Sequence, residues 1–213
     1  MKKKSLKSSR KRVVNKFTKN DLAFIEFVKA ECKALGVKVD LRPSSYVKLD
    51  KNIKCSGWFD SANKHLVVSM NKPDALSILV HEYCHVTQWV DDTDLWRASD
   101  NALQKVDEWL GGKRIHNISK HIGVARDLEL DNEKRSVRMI RKWKLSINTA
   151  DYIKKANAYV HFYNWMLLTR RWSKPSNTPY QNQVILSKMS TRFNMQYKHL
   201  TPRIANAFET ADI

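Results

Sequence analysis

No run of about 18 uncharged apolar residues occurs in this chain of 213, so nothing in it reads as a membrane-spanning helix. Cysteine is scarce too. Cys32, Cys55 and Cys84 are odd in number and far apart, which argues against a disulfide framework and fits a reducing compartment. Acid is also in short supply, with 21 Asp and Glu against 39 Lys and Arg, a formal net charge of +18. None of the first twenty residues is acidic, whereas nine are basic: Lys2, Lys3, Lys4, Lys7, Arg10, Lys11, Arg12, Lys16 and Lys19. That stretch lacks the apolar core of a signal peptide, so the expectation is a cytoplasmic protein whose residues 1–19 form a basic, disordered tail able to touch polyanions. Internal repeats are absent as well. What remains, residues 20–213, is enough for a single domain, since 42% of the chain is apolar and one sizeable core can be buried.

Periodicity orders that domain as helix, small sheet, then helices to the end. Leu22, Ile25, Val28, Cys32 and Leu35 recur at three- and four-residue steps, so a helix is expected from a cap at Asn20 to a stop at Gly36. Short β-like runs follow near Val37 to Leu41, Tyr46 to Leu49, Gly57 to Phe59 and His65 to Met70, and suggest an antiparallel meander. Asn71 and Pro73 then open a helix rich in apolar residues: Leu76, Leu79, Val80, Tyr83, Cys84 and Val86. Further helices are expected up to Leu110, from Ser119 to Lys142 and from Thr149 to Trp172, with a loop over 173–179, a weaker helical segment and a break at Pro202. The fold class is α+β, mainly helical, with a small antiparallel sheet packed on the helix that begins after Pro73.

That helix carries His81-Glu82-Tyr83-Cys84-His85, an HExxH pattern. Residues i and i+4 share a helix face, so both imidazoles can reach one zinc ion while Glu82, one residue round, serves as general base toward a water. A core helix bearing three such groups needs a reason, because unpaired polar groups cost on the order of 1–3 kcal/mol each when buried. One Zn2+ per chain is therefore the expected cofactor. A catalytic zinc normally takes a third protein ligand. Glu129 and Glu133 stand i and i+4 on a later helix, so one can ligate while the other orients a ligand imidazole. His121 and Asp91 are rivals for the third position. Asp91 falls where the metzincin pattern HExxHxxGxxH has its last ligand, but Gln88 replaces the required glycine.

The motif with Gln88-Trp89, the segment Leu128-Glu129-Leu130-Asp131-Asn132-Glu133-Lys134-Arg135, and Ala156-Asn157-Ala158-Tyr159 with Phe162-Tyr163 together resemble the small zinc metallopeptidases encoded in tailed-phage genomes, within the gluzincin class. The resemblance covers about thirty residues. It implies a zincin-like fold, hydrolysis of peptide bonds in a polypeptide substrate, and residence in a host cytoplasm. By its spacing Glu129 would be the ligand and Glu133 its supporter, with Asn132-Glu133 standing where Ala-Asp is usual. The HExCH form also occurs in the Spartan-type DNA–protein crosslink proteases, whose third ligand is a histidine; His121 would fill that part here.

On the peptidase reading Glu82 takes the proton of the attacking water and passes it to the leaving amine. Tyr152, Tyr159, His161 and Tyr163 are candidate donors to the oxyanion. The strand from His65 to Met70 is a candidate edge for an extended substrate. A different class of function is suggested by Lys134, Arg135, Arg138, Arg141, Lys142 and Lys144, six charges in eleven residues around Trp143, and by Arg170-Arg171-Trp172. Such patches give salt-sensitive, non-specific nucleic-acid binding, although no nucleic-acid-reading motif is present. The alternative is thus a nucleic-acid-associated or structural phage protein, in which the metal is structural or the protease acts on DNA-bound proteins.

Overall fold

A computed structural model of the chain describes residues 17–49 and 53–213. The expected basic tail lies outside the described residues up to Lys16. Helix α1 (Lys19–Ala34) is capped by Thr18 rather than Asn20: the Thr18 hydroxyl accepts from the Asp21 amide at 3.2 Å, and the Asp21 carboxylate accepts from the Thr18 amide at 2.8 Å. Asp21 also accepts from the amide and hydroxyl of Ser146, which ties the start of α1 to a distant loop and holds the Asp21 carboxyl below its usual range.

Five short strands follow: β1 (Lys38–Arg42), β2 (Val47–Lys48), β3 (Lys54–Cys55), β4 (Gly57–Asp60) and β5 (His65–Ser69). They do not form the expected meander. β5 lies in the centre of a mixed sheet of order β1-β5-β4, parallel to β1 and antiparallel to β4, while β2 and β3 pair separately. Leu66 and Val68 on one face and Val67 on the other are all buried, the pattern of an interior strand. β5 is therefore not the free edge anticipated for His65 to Met70. β4 takes that place.

Helices α2 (Ala75–Val90), α3 (Asp94–Leu110), α4 (Ile118–Trp143) and α5 (Thr149–Thr169) make up most of the rest, with the short α6 (Gln183–Leu186) and α7 (Pro202–Thr210) after them. The architecture is α+β and mainly helical. No helix among the described residues is long and apolar enough to cross a membrane. Two apolar clusters hold the molecule together. One joins α1, the sheet and α2 to Val137 and Ile140 of α4 and to Ile153 and Ala156 of α5. The other gathers Val106 and Trp109 of α3, Ile122 and Ala125 of α4, Phe162 and Met166 of α5, and Ile185, Ile204 and Phe208. α4 runs through both, and between its two apolar ends lie the buried polar residues Arg126, Glu129, Asn132, Glu133 and Ser136.

Candidate metal centre

The geometry of the centre follows from how α2 and α4 bury their apolar faces. Leu76, Leu79, Val80, Tyr83 and Val86 commit most of α2 to the core, which turns His81 and His85 toward α4. Glu129, Asn132, Glu133 and Ser136 recur at helical steps on α4 and form the opposing stripe. The two imidazole centroids stand 4.9 Å apart, nearly perpendicular. Glu129 Oε2 lies 3.6 Å from His81 Nε2 and 3.7 Å from His85 Nε2. These separations are long for hydrogen bonds, and Glu129 Oε2 is buried without a hydrogen-bond partner. They suit atoms ligating one ion, since tetrahedral ligands at 2.0–2.1 Å from zinc sit about 3.4 Å from each other. Among the described residues, His81, His85 and Glu129 form one group that can hold a metal ion, their ligand atoms all within 4.8 Å of one another.

The neighbours of these three are specific. Glu133 Oε1 stands 3.2 Å from His81 Nδ1, on the side of the ring away from Glu129. His85 Nδ1 is 2.9 Å from Gln88 Oε1. Asn132, wholly buried, donates to the His81 carbonyl at 3.2 Å, and the same nitrogen lies 3.1 Å from His81 Nδ1 and 3.2 Å from His85 Nε2. Asp91 and His121 take no part in the metal-holding group. Asp91 caps α2 and pairs with Arg135, which also donates to Asp131 at 2.7 Å; His121 lies two turns before Glu129 on α4.

Charge at this spot is out of balance. Glu82, Glu129 and Glu133 are buried around a single imidazole able to carry charge. Burial pushes Glu82 up to about 7, against the pull of His81, with Glu133 adding to the rise. Glu129 is driven to about 7 for the same reasons. His81 is raised because Glu133, Glu129 and Glu82 outweigh the cost of burying its charge, whereas burial and the charge of His81 depress His85. Three carboxylates facing one cationic imidazole make a site whose electrostatics favour an added cation.

On α5, Tyr152, Tyr159 and Tyr163 share a stripe that faces α4. The Tyr159 ring lies 6.5 Å from that of His81, its hydroxyl is 3.3 Å from that of Tyr163, and Tyr180 packs edge-on against it at 6.0 Å. Tyr152 sits beside Glu133, and burial together with that carboxylate raises its phenol well above the usual value. His161 is not brought to the centre. Two residues from Tyr159 it points about 200° round the helix, where it stacks on Tyr197 at 5.3 Å with both ring nitrogens unpaired. Burial and the nearby charge of Arg126 lower it to about 4. A histidine whose folded pKa is depressed contributes stability above its unfolded value of 6.5 and loses it as pH falls toward 4. His161→Phe is expected to remove up to roughly 3 kcal/mol of this acid sensitivity. Urea unfolding at pH 7 and pH 4 checks it; equal acid losses in both proteins would refute the assignment.

β4 closes the other side. Gly57 packs so tightly on α2 that a Cβ would fall 2.8 Å from Ile78 Cγ2, 3.0 Å from Glu82 Cγ and 3.0 Å from the Val67 carbonyl oxygen. The last is sheet backbone and cannot easily yield. Gly57→Ala is therefore expected to displace Glu82 or β4 and to lower any hydrolytic rate about a hundredfold, with metal affinity nearly unchanged; a rate within twofold of wild type would exclude the effect. Farther along, Phe59 packs near Trp89 and Trp96, and Trp96 stands 6.4 Å from the His85 ring, so aromatic walls flank both imidazoles. Neither Trp96 nor Tyr180 stood out in the sequence. Tyr180 lies in a Pro-containing loop that gives no periodic signal, and Trp96 on a helix with no motif.

The basic patches prove smaller than their composition. Arg135 is engaged by Asp131 and Asp91, and Arg170 by the carbonyls of Trp109 and Lys113 and by the Trp109 ring at 5.2 Å. Lys134, Arg138, Arg141, Lys142 and Lys144 stay exposed. No family model, curated protein or solved structure matches this chain.

Proposed function

We propose that the protein is a zinc metallopeptidase with a zincin-like fold, in which His81, His85 and Glu129 hold the ion and Glu82 is the general base. The observation that carries this reading is the buried, unpartnered Glu129 carboxylate oxygen set between two imidazole nitrogens of an HExxH helix, 3.6 and 3.7 Å away. Oxygen and nitrogen ligands in this number suit zinc. When bound, zinc supplies Lewis acidity toward a water and a scissile carbonyl. Glu82, its pKa raised to about 7, takes a proton from that water and delivers it to the amine nitrogen as the C–N bond breaks. A phenol from Tyr159 or Tyr163 can donate to the oxygen that gains charge, and burial keeps both protonated at neutral pH.

The polypeptide itself is expected along β4. Ser69 donates to the Ser56 carbonyl at 2.8 Å, so the hydrogen-bonded pairs of this antiparallel ladder fall on 56/69, 58/67 and 60/65. Phe59 accordingly turns its amide and carbonyl away from β5, toward a strand that a substrate could supply. The test is metal analysis of protein purified without added zinc, alongside cleavage of a mixed peptide library. One zinc per chain is expected, with cleavage abolished by chelator and restored by zinc; protein that takes up no metal sinks the reading. A second reading, non-specific nucleic-acid binding, is favoured by the exposed stripe Lys134, Arg138, Arg141, Lys142 and Lys144. It requires DNA affinity that falls steeply with salt and survives deletion of residues 1–16.

A further inference from the structure

Gln88 is wholly buried three residues after His85, and nothing in a peptidase mechanism calls for an amide there. Its two ends can be told apart by what they face. One end lies 3.0 Å from the Leu128 carbonyl and 2.9 Å from Asp131 Oδ2, both acceptors, so that end must be the NH2 group. The reverse orientation would set three oxygens against each other. The other end is then the amide oxygen, an acceptor only, at 2.9 Å from His85 Nδ1. It follows that Nδ1 carries a hydrogen and that the neutral ring leaves Nε2 bare, on the side where Glu129 Oε2 stands. The orientation is enforced from further out, because Arg135 Nε donates to Asp131 at 2.7 Å and Arg135 also holds Asp91.

We propose that Gln88 is a positioning residue: through its bonds to Leu128 and Asp131 on α4, it fixes His85 on α2 as the Nδ1–H tautomer and so presents Nε2 as a metal ligand. The proposal rests on the metal-site reading above, but part of it can be read without metal. The two histidines of the motif are then oriented by unlike partners, His81 by the carboxylate of Glu133 and His85 by a neutral amide whose polarity is set by another helix.

Two measurements test this. Long-range 15N–1H correlation on metal-free wild-type protein reads the His85 tautomer directly; a protonated Nδ1 and bare Nε2 are expected, and a protonated Nε2 overturns the proposal. Cobalt(II) titration of wild type and Gln88→Met, which keeps length and packing without the hydrogen bonds, reads the consequence. The variant is expected to bind cobalt 10- to 100-fold more weakly and with an altered visible d–d spectrum. Equal affinity and an identical spectrum overturn the proposal. Should the Met variant not fold, the His85 tautomer of the metal-free wild-type protein decides the proposal by itself. Wild-type protein that takes up no cobalt defeats the metal reading and any role of Gln88 toward a metal, whichever tautomer is found.

Discussion

Glu82→Gln is expected to leave metal content unchanged and to slow peptide cleavage by about two to four orders of magnitude, the usual contribution of a general base. The substitution keeps the volume of a side chain that packs against β4 at Gly57, so that contact stays in place. It removes a group whose burial has raised its pKa to about 7, where a carboxylate can both accept a proton from water and give it up again near neutrality. Glu82 is not a member of the metal-holding group, so affinity for zinc should barely move. Glu82→Asp would leave the acid but withdraw it by a methylene, and a misplacement of about 1 Å costs on the order of a hundredfold. Metal analysis and steady-state cleavage of one library peptide by the three proteins check the series. A Gln variant that turns over at the wild-type rate would remove Glu82 from the chemistry; one that loses its metal would make it part of the ion's support instead.

The parts of the molecule that could be read from sequence are those set by local periodicity. The helices from α1 to α5 begin and end within a few residues of where apolar spacing and glycines put them, because each buries a face whose period is intrinsic to the helix. Sheet order was not legible. Strands of two to five residues carry too little pattern to name a partner, and β1 pairs in parallel with β5 across the whole β2–β4 segment rather than with its neighbour. Part of the layout of the site is legible in principle. His161 shares a helix with the tyrosines, yet two residues of helix carry it to the opposite side. In the sequence Gln88 stands where a metzincin has glycine and forms part of the Gln88-Trp89 resemblance, and neither gives it a role. Its partners lie forty residues away on α4, and no local rule connects an amide to them. The same holds for the Arg135–Asp91 pair and for Arg170, which read as surface charge until their acceptors on other elements are seen.

Glu129→Gln and Glu133→Gln should separate the two carboxylates of α4 by their effect on metal affinity. Glu129 faces both Nε2 atoms, and in the proposed site replacing its carboxylate with an uncharged amide would remove both a ligand and its charge. The loss is expected to exceed the hundredfold that marks the upper end for a partner outside the ligand set. Glu133 touches His81 only through Nδ1, so its replacement should weaken binding by about 10- to 100-fold, through a less basic and less firmly held imidazole. Misfolding is a poor explanation for the larger effect. An acid whose folded pKa is raised adds stability at low pH that is lost as pH climbs through the folded value, so ionised Glu129 burdens the metal-free protein above about 7. A neutral amide of the same shape lifts that burden, and metal-free Glu129→Gln should be at least as stable as wild type at pH 8. Competition with a chromophoric chelator gives the affinities, and thermal unfolding without metal gives the stability. If Glu133→Gln instead shows the greater loss of zinc, the roles of the two residues are exchanged, and the unpartnered oxygen of Glu129 then needs another ligand to explain it.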